Sequence, residues 1–266
     1  MPLLDLAIST RYGRNSVLDG LCLTMDAGEI VGLVGQSGSG KSTLGLAILG
    51  LLGRRGGEVS GQILFEGRNL LRLKEKEMRR IRGKHIALVL QSAASALNPA
   101  LTLEAHFSEA WRAHESTPWR EKRPDALATL AELDLPSSEE FLGRYPSQIS
   151  VGQAQRVLIG LALLHRPKVI VADELTSALD LVTTHEVLRA LRKANQRFGT
   201  AILFISHDLA AVGALCGRVA ILRQGAIVET APVERLFAAP EQEYTRQLIG
   251  LHKATLHPGV ELVPSK

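Results

Sequence analysis

The chain has 266 residues, 45% of them apolar and 22% charged, with a net charge of +4 and only two cysteines. That length suits one large α/β domain or two small ones, with ample material for a core. The basic residues are scattered and interleave with no aromatic patch, which argues against a nucleic-acid binder. No stretch approaches the ~20 apolar residues that span a bilayer, and MPLLDLAISTRYGR lacks the apolar run of a signal peptide. Cys22 and Cys216 form no ligand cluster, so neither zinc nor an iron–sulfur centre is expected. Both are read as small core residues, in a reducing compartment.

In chain order, LLDLAIST and SVLDGLCLTM alternate like strands, and EIVGLVG is a continuous apolar run of strand length. QSGSGKST follows, then a helical pattern through LGLAILGLL. GQILFEGRNL reads as a strand ending in an EG turn, KEKEMRRIR as a helix, and HIALVLQ as a buried strand. Over residues ~92–165 strand-like runs stop and helical ones take over, as in EAHFSEAWRAH and RPDALATLAELDL. KVIVADE returns to a buried strand. THEVLRALRKANQRF is an amphipathic helix, TAILFISHD a strand, and RVAILRQGAIVETA a hairpin turning at QG. PVERLFAAPEQEYTRQLIGL is helical, and HPGVELVPSK is expected to be loose. Strands alternating with helices predict a mostly parallel, buried sheet with extra antiparallel sheet beside it.

Gly35 to Ser42, GQSGSGKS, matches G-x-x-x-x-G-K-[ST] between an apolar strand and a helix. A loop of this kind, with Gly35, Ser37, Gly38, Ser39 and Gly40, wraps a phosphate chain with inward N–H groups and a helix N-terminus. Lys41 is expected to reach the β- and γ-phosphates, Ser42 to ligate Mg²⁺, and Thr43 to add a phosphate contact. VIVADE ends a second buried strand in two acids. After a phosphate loop, Asp173 suits the Mg²⁺ shell and Glu174 the polarisation of the attacking water. Gln91 and His207 also end strands. A parallel sheet brings such ends to one edge, where Gln91 suits Mg²⁺ or the lytic water and His207 the γ-phosphate.

The ordered set GQSGSGKST, Gln91, ISVGQ (149–153), VIVADE, SALD (177–180) and His207 resembles the nucleotide-binding subunit of an ATP-binding cassette (ABC) transporter, over essentially the whole chain. The resemblance implies an α/β P-loop NTPase. By that resemblance one ABC ATPase domain would span 1–266. A RecA-like core with an antiparallel β part takes about 1–91 and 166–250, a helical subdomain about 92–165, and a tail 251–266. It also implies MgATP hydrolysis, Tyr12 as the residue that stacks on adenine, and two such subunits packed head to tail. Ser150, Gly152 and Gln153 would then grip the γ-phosphate of ATP held by the partner cassette, and Asp180 would lie at the seam.

Two positions depart from the family pattern. Val151 stands where L-S-G-G-Q has its first glycine, so its effect depends on whether that position needs a glycine-only backbone. Leu175 replaces a proline after Glu174, which is expected to loosen the turn there. QSAASALNPALT and APEQEYTRQLIG resemble the oligopeptide, dipeptide and nickel importer branch. That branch implies a second, different ATPase subunit, two integral-membrane permeases and an extracytoplasmic binding protein. The chain would sit peripherally on the cytoplasmic face of the plasma membrane. The short C-terminus tilts the substrate towards a metal or metal chelate. The alternative is a soluble ATPase of the phosphonate carbon–phosphorus lyase kind.

Overall fold

The computed structural model describes residues 1–177 and 179–255. Ala178 of the SALD motif and the HPGVELVPSK end fall outside the described residues. Two sheets share the molecule. In the first, β1 (Leu4–Tyr12) lies antiparallel between β2 (Asn15–Met25) and β4 (Gly57–Phe65), and β5 (Arg68–Asn69) closes the edge in the order β2-β1-β4-β5. The alternation read in LLDLAIST is real: Leu4, Leu6, Ile8 and Thr10 are buried and the residues between them are more exposed. The same parity corrects the expectation for Cys22, which is exposed. On β2 the residues Leu21, Leu23 and Met25 face inward, so a residue between them must face out. Cys216 is buried, and desolvation pushes its thiol up to about 12.

The second sheet runs β10-β9-β3-β8-β7-β6. Its parallel strands are β3 (Ile30–Val34), β6 (Ile86–Val89), β7 (Val169–Asp173), β8 (Ala201–Ser206) and β9 (Arg218–Arg223). β10 (Ala226–Pro232) pairs antiparallel with β9 through the turn Gln224–Gly225, whose φ values are +48° and +84°. The sheet is covered on both faces, which explains its continuous apolar strands. Ile170, Ala172, Ile202 and Phe204 belong to one core, shared with the helices. Val169, Val171, Leu203 and Ile205 belong to the other, shared with the antiparallel sheet. Phe204 is fully buried, and truncating such a side chain to alanine typically costs about 3–5 kcal/mol.

The helices are α1 (Lys41–Ile48), α2 (Glu75–Ile81), α3 (Ala93–Ala96), α4 (Leu103–Arg112), α5 (Trp119–Glu132), α6 (Glu139–Leu142), α7 (Val151–Leu163), α8 (Leu181–Phe198), α9 (Leu209–Leu215), α10 (Val233–Ala238) and α11 (Glu243–Thr255). Between β6 and β7 the described structure is helical, and α7 leans on β6, α4, α5 and α8. The C-terminal helical run is broken: α10 ends at Ala238 and α11 begins at Glu243, with Pro240 between them. Proline disfavours helix at the residue before it and cannot supply a helical N–H. Among the described residues no helix is long and apolar enough to cross a membrane.

Candidate functional site

Parallel register gathers four strand ends. Val34 pairs with Ser206, Asp173 with Ile205, and Val89 with Ala172, so the loops after β3, β6, β7 and β8 leave from one edge. A cavity of about 550 Å³ opens there, lined by Val17, Ser37, Gly38, Gly40, Lys41, Ser42, Thr43, Gln91, Glu174 and His207.

The loop after β3 is shaped for anions. Gly40 caps α1 at φ +105°, and a Cβ there would stand 2.5 Å from Leu18 Cδ2. No side chain caps α1, and its first turn carries no acid. By contrast Thr102, Ser150, Asp180 and Asp208 each cap their own helix. The unmatched N–H groups and positive end of α1 therefore face the cavity without an internal partner supplied by a side chain.

Lys41 is 6% exposed, and its Nζ donates to the carbonyls of Gly35 at 2.7 Å and Gln36 at 3.1 Å. The same ammonium lies 3.7 Å from Glu174 Oε1. Glu174 holds a left-handed φ of +54°, uncommon for a residue with a side chain and often found at functional sites. Its turn is tied down. Its N–H donates to the Ile205 carbonyl at 2.9 Å, and its carbonyl accepts from Ser177 Oγ at 2.7 Å. Leu175, which follows Glu174, is fully buried in the core. His207 Nδ1 stands 2.6 Å from Glu174 Oε2.

Asp173, which precedes Glu174, is not among the residues lining the cavity. Burial raises its carboxyl above the ordinary aspartate value; Ser42 hydrogen bonding lowers it, the Glu174 charge raises it and the Lys41 charge lowers it. Its Oδ1 is buried and has no partner. A buried, unsatisfied carboxylate oxygen beside a serine hydroxyl is a hard-oxygen donor set of the kind Mg²⁺ takes together with phosphate.

The other sequence candidates stand apart from this cavity. Gly35 and Ser39 belong to the loop but do not line the cavity, and Ser39 is 8% exposed with its Oγ unpartnered. Tyr12 is half-buried at the end of β1, paired with Asn15 and Gly57, and does not line the cavity; Val17 of β2 does. Nothing in the sequence marks Val17, because its place follows from how β2 passes the loop. Ser150, Gly152 and Gln153 form the start of α7. Ser150 Oγ accepts from Gln153 N at 3.1 Å, and Gln153 Oε1 accepts from Ser150 N at 3.0 Å, a reciprocal capping box. Val151 is the first residue of the helix, is 66% exposed, and is not among the residues with positive φ. The glycine requirement falls instead on buried Gly152, where a Cβ would stand 2.8 Å from Thr183 Cγ2. Asp180 caps α8, accepting from Val182 N and Thr183 N at 3.0 Å each and from Thr183 Oγ1 at 2.6 Å.

Comparison with known proteins finds relatives in sequence and in fold. The family described as ABC transporter matches residues 18–177. The chain is 39% identical over 258 residues to the probable peptide ABC transporter ATP-binding protein y4tR of Sinorhizobium fredii, covering 93% of this chain and 77% of that one. It is 35% identical over 248 residues to the metal-staphylopine import system ATP-binding protein CntD of Staphylococcus aureus, covering 93% and 91%. Two longer relatives are spanned over 44% and 45% of their length. Among solved structures, the dimeric post-hydrolysis state of the ATP-binding cassette MJ0796 with ADP and Pi aligns with a TM-score of 0.70. It is 30% identical, covering 86% of this chain and 98% of that one.

Proposed function

Because the chain belongs to the ABC transporter family and carries its ATPase domain, we propose that it powers a membrane importer of peptides or metal chelates. The observation that carries this reading is the convergence of Lys41, Glu174 and His207 on one cavity over the uncapped start of α1. The relatives' names, peptide transport and metal-staphylopine import, support the substrate class.

Hydrolysis follows from the charges. The α1 N–H groups and Lys41 bind the phosphates, Lys41 exchanging the Gly35 and Gln36 carbonyls for phosphate oxygens. Ser42, Asp173 and Gln91 would hold Mg²⁺, which when bound offsets charge on the β- and γ-phosphates. Glu174 orients water against the γ-phosphorus and takes its proton as the new P–O bond forms and the bond to ADP breaks. His207 fixes the Glu174 carboxylate in that pose.

A second cassette, of this or another chain, completes the site in this reading. The start of α7 in one subunit faces the phosphate loop of the other, where Ser150 and the first-turn N–H groups meet the γ-phosphate. Val151 keeps an ordinary φ and so still offers its N–H. Asp180 stands near this seam beside exposed Leu181 and Val182. Tyr12 takes the adenine. Short permease helices seat in an apolar groove of about 370 Å³ between β6, α4 and α7, lined by Ala87, Leu90, Ala113 and Leu161 among others. ATP-bound and open states differ in affinity for ATP, and that difference moves the permease. The chain then works on the cytoplasmic face of the membrane, served by an extracytoplasmic binding protein.

Gentle-detergent co-purification from the source cells tests this. Two integral-membrane proteins and a cassette ATPase are the expected companions. Soluble enzymes without any membrane protein would overturn the importer reading in favour of the carbon–phosphorus lyase kind.

A further inference from the structure

Gln155 is 2% exposed, on the second turn of α7, and nothing in the hydrolysis scheme above uses it. Its Nε2 donates to the Gln91 carbonyl at 2.5 Å and to the Leu175 carbonyl at 3.2 Å. The two acceptors are carbonyls, so the side-chain nitrogen must face them. The amide has two N–H groups and both are used. Its Oε1 is buried without a partner. Keeping a polar side chain there carries a desolvation cost that a leucine or methionine of similar size would avoid.

The two carbonyls lie 64 and 20 residues from Gln155, in the loops that leave the neighbouring strands β6 and β7. Gln91 is among the residues lining the cavity, and Leu175 directly follows Glu174. The sheet registers these strands only as far as Val89 and Ala172. Beyond that point the ladder ends, and Gln155 supplies the link between the two loops. Ser177 Oγ holds the Glu174 carbonyl from the far side of the same turn.

We propose that Gln155 is a positioning residue for ATP hydrolysis: its amide clips the loops carrying Gln91 and Glu174 into one register. Because the clip hangs from α7, the pose of Glu174 then depends on where α7 sits against the sheet. Ser150 caps the same helix five residues earlier, about 7.5 Å along the axis. A load on that end of α7 therefore reaches both loops through one side chain.

The test uses the full-length chain in the assembly in which it hydrolyses ATP. Gln155→Met keeps the volume and removes both donors. Gln155→Asn is one methylene shorter and reaches one carbonyl at most. Each variant is assayed about 20 °C below its own Tm, so that folded protein is compared with folded protein. The expected result is a graded loss of kcat, with Gln155→Asn intermediate and Gln155→Met lower on the order of tenfold or more, while KM for ATP stays within about twofold. Equal kcat in all three proteins would overturn the proposal and leave Gln155 a packing residue. Parallel loss of kcat and ATP affinity would overturn it too, since the damage would then lie in the phosphate loop. Only ATP turnover is read, so a failed co-purification with permeases leaves this result standing.

Discussion

His207 Nδ1 meets Glu174 Oε2 at 2.6 Å, although the two residues leave different strands and lie 33 positions apart. The carboxylate is 15% exposed and the imidazole 61%, so the histidine approaches from the open side of the cavity. The other carboxylate oxygen faces Lys41. Glu174 is thus held at both oxygens, and its backbone is held by Ile205 and Ser177.

Removing either member of this pair should separate binding from turnover. Glu174→Gln should bind ATP with near-normal affinity and hydrolyse it about a hundredfold or more slowly, because no base remains to take the proton. His207→Ala should lower kcat by roughly tenfold or more with little change in KM, as Glu174 loses its orienting partner. Steady-state kinetics beside equilibrium nucleotide binding checks both. Near-normal turnover in Glu174→Gln would remove it from the chemistry.

Lys41→Ala should instead fail at binding. The buried ammonium is the cation nearest the uncapped helix start, and a charge-assisted phosphate contact is among the stronger single interactions available. Titration with a fluorescent ATP analogue should show affinity falling by at least about tenfold. Retained affinity would mean that the loop amides alone carry the phosphates.

The start of α7 separates two positions, Val151 and Gly152. Gly152→Ala should destabilise the chain by about 1–3 kcal/mol, since its Cβ would press on Thr183 Cγ2. Thr183→Ser removes that methyl and keeps the hydroxyl that bonds Asp180, so the double variant should recover much of the loss. Val151→Gly should cost only about 0.5–1 kcal/mol, through helix entropy, because no positive φ is needed there. Chemical denaturation of the parent, the three single variants and the double variant measures these effects.

Acid stability should carry a histidine signature. His165 stacks on Trp111 at 5.2 Å and meets His114 edge-on at 5.0 Å, with Lys84, Glu115 and Lys122 as the neighbouring charges. Burial, foremost, holds both imidazoles below their ordinary value. The folded chain therefore binds fewer protons than the unfolded one. This stability is fully present above about pH 6.5 and is lost as the pH falls through the lower, folded values. His165→Phe keeps a ring against Trp111 and removes the titration. Its loss of Tm between about pH 7 and pH 5 should be smaller than that of the parent by roughly 1–3 °C. Identical slopes would assign the acid effect elsewhere.

What the residues alone determined is what is encoded over short stretches of chain. The phosphate loop, the alternation of β1 and the QG hairpin each need only neighbours within a few positions. The strand-end acids were legible because a hydrophobic run ending in charge marks where a buried strand leaves the core. The tertiary structure alone decided whatever depends on which face of an element meets which neighbour. Cys22 is exposed because of the parity of β2 against β1. Val17 lines the cavity because β2 passes the loop before α1. The backbone accommodates a side chain at Val151 and leaves little room for one at Gly152, because Gly152 faces α8. Gln155 is the clearest instance, since its partners lie 64 and 20 residues away. Periodicity shows that a helix has a buried face, but the acceptors on that face are set by the packing of distant strands, and short-range pattern carries no record of it.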